Sequence, residues 1–247
     1  MKLAAFLTAV LYVLSIFLKN VCNFDAVGIP NEILRYAAER LVVIIAFALP
    51  YAVYFVFSKN NKRQKIRIPS KYPLWALFFA TMLCAMLLSI AEGIISLLLG
   101  IETGSSDIFS MQTDIMAVSL FITVFIVPVV EEFIFREVLL SILSPFGALF
   151  SAILSSVLFA AVHSAGSILY AFVWGMLLSH LSQTKGIKYS IALHILNNAL
   201  NVVFASVSER IGLPFKPVYF VVVLITGAVS IAVILKTHFS KRRGGNG

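Results

Sequence analysis

The chain has 247 residues, 60% of them hydrophobic and 12% charged, where a soluble domain carries about 25% charge. With a mean hydropathy of +0.99, it has more apolar surface than one water-soluble core of this size can hide. Soluble, collagenous, disordered and disulfide-rich secreted classes are excluded, which leaves a multipass membrane protein. The net charge of +8 gives no reason to invoke nucleic acid as a partner. The basic residues sit in short loops between apolar runs and form no groove with interleaved aromatics; they suit anchoring at the surface of a lipid bilayer.

The expected fold is an all-α polytopic bundle of about eight transmembrane helices, one multipass domain over 1–247. The first apolar run, 3–18, follows Lys2 and ends at Lys19-Asn20. No small-x-small cleavage site follows it, so it reads as a retained membrane helix and not as a signal peptide. Further runs, bounded by charge or by Gly and Pro, place helices at 40–57, 74–99, 114–143, 148–164, 167–182, 188–207 and 217–236. Ser144-Pro145-Phe146-Gly147 reads as a turn, and Ser164-Ala165-Gly166 is short enough to join antiparallel neighbours. Cys22 and Cys84 share no CxxC spacing and read as two buried, small apolar residues.

Orientation follows from Lys and Arg. The loop 58–73 holds Lys59, Lys62, Arg63, Lys65, Arg67 and Lys71 and no acid. If it faces the cytoplasm, thirteen positive residues fall on that side and five on the other, so both termini are expected to be cytoplasmic. An even number of helices requires the termini to share a side, in agreement.

An ionisable residue at membrane depth costs at least ~2.5–3.5 kcal/mol and is a functional candidate by default. Glu131-Glu132-Phe133-Ile134-Phe135-Arg136-Glu137 follows the apolar run 121–130. Glu132 and Arg136 stand at i and i+4 and are expected to pair; Glu131 is rotated ~100° from Glu132 and faces a different neighbour. Phe159 precedes His163 by four residues, and His194 precedes Asn198 by four, each pair on one helix face. A helix over 114–143 would be ~45 Å long against a ~30 Å hydrocarbon core. It must therefore project, and helical rise brings Glu131, His163 and His194 to one shallow, cytoplasm-facing level. His180 and His238 read as satisfied core histidines. Glu92, near the far end of its run, reads as a snorkelling or structurally hydrogen-bonded carboxylate.

A carboxylate and two histidines in a shallow membrane cavity suit hydrolysis. Partial desolvation makes a carboxylate a stronger base toward water. One histidine can orient that water, and a histidine and an amide four residues apart can donate to a developing oxyanion. The sequence resembles the CAAX-protease and bacteriocin-processing (Abi) family of intramembrane proteases, whose motifs run EExxxR, FxxxH and HxxxN in that order on successive helices. Here they read Glu131-Glu132-x-x-x-Arg136, Phe159-x-x-x-His163 and His194-x-x-x-Asn198, and 114–207 is expected to be the catalytic core. The resemblance implies hydrolysis of a peptide bond near the membrane face, in a peptide or membrane-protein substrate that is lipidated in the prenyl-protein members. It implies Glu131 as general base, His163 as its water-holding partner and His194 with Asn198 as the oxyanion pair. Glu132, Arg136 and Phe159 would support the site. Glu131, His163 and His194 also supply the three protein ligands of a catalytic zinc, although no HExxH is present and water activation works without a metal.

Two other functions compete: a noncatalytic membrane protein conferring self-immunity to a bacteriocin, and a small proton-coupled transporter using the same ionisable groups. The second would be expected to show paired halves with broken helices at matching positions, and no internal repeat is visible.

Overall fold

A computed structural model describes residues 31–57, 72–100, 113–163, 167–211 and 215–243. They form seven helical runs and no strand: α1 (Glu32–Phe57), α2 (Leu74–Leu99), α3 (113–146), α4 (Ala148–Ala161), α5 (Ile168–Thr184), α6 (Ile187–Ile211) and α7 (Phe215–Arg243). Three are long and apolar enough to cross a bilayer, over Leu74–Leu99, Ile115–Phe146 and Pro217–Phe239. The expected run 3–18, Cys22, the turn 164–166 and nearly all of the basic loop 58–73 lie outside the described residues.

Helix α1 begins eight residues before the expected 40. The Asn31 side chain caps it, its Oδ1 accepting the Ile33 and Leu34 N–H groups at 3.0 and 3.1 Å, the usual way of satisfying the first orphan donors of a helix. Its charged first turns, with Glu32, Arg35, Glu39 and Arg40, concealed this start from a reading based on apolar runs.

Helix α3 runs straight through the charged motif but is not α-helical throughout. It is a π-helix over Ile122–Ile126 and again over Phe133–Leu139. Pro128 accounts for the first widening: it cannot donate a backbone N–H, and its ring crowds the carbonyl four residues earlier. The Val127 N–H accordingly bonds Ile122 O, five residues back. The run closes in a 3-10 turn at Ser144–Phe146. Gly147 follows at φ +97, a conformation costly for any residue with a Cβ, so the expected turn falls there.

The described helices group into two compact units, one containing α1 and α3, the other α2 and α4–α7. In the first unit, Phe55 packs on Phe133 with ring centroids 5.2 Å apart, and Tyr36 Oη donates to Ser119 Oγ at 2.7 Å. In the second, α5 packs on α4, α2 and α6, and α2 packs on α7. The α4–α5 contact is close because it is made of small residues: a Cβ on Gly175 would lie 3.0 Å from Ser156 Cβ and 3.1 Å from Ser156 Cα. Ser151, Ser155, Ser156 and Ser179 are all buried on these two helices, the composition that lets membrane helices approach through their backbones. Gln183 Nε2 donates to Ala148 O at 3.1 Å, pinning the end of α5 to the start of α4. Cys84 is exposed on α2 and not buried as expected; on a helix as apolar as this one, a thiol behaves as a small hydrophobe on the outer surface.

Candidate active site

The site residues expected from the sequence divide between the two units. Glu131, Glu132 and Arg136 belong to the first. Continuous helix carries all three, so the charged cluster is not a solvated helix end. Glu132 is 0% exposed and Arg136 3%, and Arg136 Nε lies 3.5 Å from Glu132 Oε2, the pairing that the i, i+4 spacing indicates. The guanidinium lies in the field of both Glu132 and Glu131 and 5.7 Å from the Phe135 ring centroid. Arg136 sits inside the second π-helical stretch, and Leu140 N–H bonds Phe135 O across it. Such widened turns within α-helices recur at functional sites. Glu131, one residue before the pair, is half-buried.

Phe159, His163, His194 and Asn198 belong to the second unit. Helix α4 ends at Ala161, three residues short of the expected 164, and His163 lies just beyond it with its N–H on Ala160 O at 3.0 Å. Its side chain turns back: Nδ1 is 2.8 Å from Phe159 O. A carbonyl only accepts, so Nδ1 carries the proton and Nε2 is left as the acceptor of the neutral ring. The Phe159 ring is buried between the two histidines, 4.6 Å from the His163 ring centroid and 5.7 Å from that of His194, which it meets edge-on. The FxxxH motif thus joins three expected residues in one cluster. Its Phe carbonyl sets the tautomer of one imidazole while its ring packs against both. His194 is 5% exposed, and Asn198, one turn further along α6, is half-buried.

Sequence reasoning missed the rest of this polar stripe. Asn197 and Asn201 share it at i+3 and i+7 from His194, a period that marks one helix face. The Tyr170 hydroxyl of α5 donates to Asn197 Oδ1 at 2.8 Å and accepts from Asn201 Nδ2 at 3.1 Å. Four polar residues at helical spacing in apolar sequence were the available signal. The start of α5 is itself held by Glu92 of α2, whose Oε1 and Oε2 accept the Ile168 and Leu169 N–H groups at 3.0 and 3.3 Å. Glu92 is therefore hydrogen-bonded structurally, as expected, and places a negative charge at a helix N-terminus.

The remaining histidines differ from expectation. His180 is half-buried, and its Nε2 has no hydrogen-bond partner among the described residues. His238 is exposed and shares a 3.1 Å hydrogen bond with the Tyr72 hydroxyl; neither is a satisfied core residue. Within either unit, no three His, Cys, Asp or Glu side chains among the described residues gather as metal ligands. Of the expected site residues in the second unit, His163, through Nε2, and His194 carry the imidazole nitrogens with the chemistry to bind a metal.

Residues 113–200 match the family model described as Type II CAAX prenyl endopeptidase Rce1-like. All the site residues named from the motifs lie within that segment. No curated protein and no solved structure matches the chain.

Proposed function

We propose that this protein is an integral membrane endopeptidase that hydrolyses a peptide bond near the cytoplasmic membrane face with a glutamate-activated water. The family match implies protease activity and membrane-associated substrates. The observation that carries the finer reading is the His163–Phe159–His194 cluster. A hydrogen bond from Nδ1 to a main-chain carbonyl leaves the one imidazole nitrogen that can accept a proton of water.

In this reading the water is held by two acceptors, the Glu131 carboxylate and His163 Nε2. Glu131 takes one proton as the oxygen attacks the scissile carbonyl carbon. The tetrahedral oxyanion accepts hydrogen bonds from His194 and Asn198; removing one such donor typically costs ~10²–10³ in rate. On collapse the C–N bond breaks and Glu131 returns its proton to the leaving amine. Glu132 and Arg136 neutralise each other and hold the helix around Glu131. A divalent ion such as zinc, ligated by Glu131, His163 and His194, would supply a Lewis acid; none of these steps depends on it. The basic loop and tail orient both termini to the cytoplasm.

The test compares membrane-derived peptide fragments from cells carrying the wild type, Glu131→Gln or His163→Ala. Fragments present with the wild type and absent with both inserted variants support the reading. Identical fragment sets, or bacteriocin immunity that survives Glu131→Gln with no fragment changed, would replace it with a binding role.

A further inference from the structure

A second feature lies away from these residues. Helices α2, α6 and α7 enclose a groove of about 470 Å³ lined by Trp75, Phe79, Leu196, Leu200, Tyr219 and Val222 among others, within the size range of ligand cavities, ~300–1,000 Å³. Among the described residues, no charged side chain lines it. Of its two hydroxyls, Thr226 Oγ1 already donates to Val222 O at 2.7 Å, and the Tyr219 ring is packed on Phe204 with centroids 4.2 Å apart. A peptide in this groove would leave its N–H and C=O groups without partners, a cost of several kcal/mol each at membrane depth. A hydrocarbon chain has no such groups. Two of the three walls, α2 and α7, are candidate membrane spans, so acyl chains surround the groove.

One end of the groove is marked by charge. The Tyr72–His238 hydrogen bond ties the start of α2 to the end of α7, which brings Lys236 to the level of Trp75. On α6, Lys188 precedes the lining residue Leu193 by five positions, ~8 Å of helix. Lys188 and Lys236 are both exposed. Trp75 and Tyr189, both 49% exposed, are residues that favour the membrane–water interface. The acidic residues on the described helices of this unit are Glu92, committed to the start of α5, and Glu209, some 30 Å along α6 from Lys188. Among the described residues of this unit, the lysines thus have no acidic neighbour at their own end.

We propose that this groove binds one acyl chain of an anionic bilayer phospholipid, with its phosphate over Lys188 and Lys236. Basic pockets between membrane helices recognise anionic head groups in this way. The chain has two tryptophans, and Trp174→Phe leaves Trp75 as the reporter. The variant is placed in phosphatidylcholine vesicles containing equal mole fractions of either phosphatidylglycerol or phosphatidylcholine with brominated chains, which quench indole fluorescence on contact. Brominated phosphatidylglycerol should quench Trp75 several-fold more effectively. That preference should fall by roughly fivefold for each lysine removed in Lys188→Ala and Lys236→Ala, and disappear when Val222→Phe fills the groove. Equal quenching by the two lipids overturns the proposal, as does a preference that survives Val222→Phe. Relief of quenching by a prenylated peptide, with no phosphatidylglycerol preference, overturns it in favour of a lipidated-peptide site. Because Trp174 is a core residue, native mass spectrometry of the unaltered protein provides a second reading. One retained phosphatidylglycerol per chain is expected, and retention of phosphatidylcholine in equal measure contradicts the assignment.

Discussion

Replacing Glu92 tests how the second unit is held together. Its carboxylate is 8% exposed and accepts the Ile168 and Leu169 N–H groups, at the N-terminus of α5. Glu92→Ala leaves both donors without this acceptor, at ~1–3 kcal/mol for each that finds no other, and removes an anion worth ~0.3–1 kcal/mol or more at a helix N-terminus. Hydrogen bonds between membrane helices average only ~0.6 kcal/mol, and the carboxylate's own desolvation is relieved, so the lower part of that range governs. The net loss should be about 2–3 kcal/mol. At ~2–4 °C per kcal/mol for a protein of this size, the midpoint should fall by about 4–12 °C. Glu92→Gln keeps one carbonyl oxygen as acceptor and should lose about half as much. Thermal unfolding of the purified protein in detergent gives the midpoints, and hydrogen exchange of the first α5 amides locates the loss. If Glu92→Ala unfolds with the wild type, or Gln costs as much as Ala, the carboxylate does not cap α5.

Gly175→Ala should destabilise by ~1–3 kcal/mol through overpacking against Ser156, and Ser156→Gly in the same chain should recover most of it; additive losses would contradict the close approach. Arg136→Met leaves the buried Glu132 without its cation and should cost ~3–5 kcal/mol, measured by the same thermal midpoints. Adding Glu132→Leu should restore stability, and a double variant weaker than Arg136→Met alone would refute the pairing. Nitrogen NMR of histidine-labelled protein should find neutral His163 protonated at Nδ1; a proton on Nε2 would remove the proposed acceptor for water.

Much of the helical layout was legible because membrane helices are long, apolar and punctuated by Pro, Gly and charge. Run 74–99 agrees with α2 at both ends, and the turn after Pro145 falls where Gly147 adopts its positive φ. The departures have local causes. Polar first turns hid the start of α1, whose Asn31 cap is a single-residue signal. The π turns of α3 depend on backbone hydrogen bonding that apolar periodicity does not register, although Pro128 marked the first. In the site, i+4 spacing captured the Glu132–Arg136 pair and put Phe159 and His163 on one face, but it did not register the hydrogen bond of His163 back to Phe159 O. It did not capture Tyr170, which enters from another helix to join Asn197 and Asn201, because a contact between helices leaves no spacing in the sequence. The fate of His180 and His238 was equally invisible, since burial and partners depend on neighbours far along the chain.

The central claim is that Glu131 and His163 act on one water as a unit, and groups that act as a unit are strongly non-additive. The direct measurement is the rate at which a fragment identified in the cell comparison is released by purified protein in vesicles, for Glu131→Gln, His163→Ala and the double variant. A loss of ~10²-fold or more is expected in each single variant, with the double variant little worse than either. Wild-type rates in either single variant, or losses that multiply in the double, would contradict it.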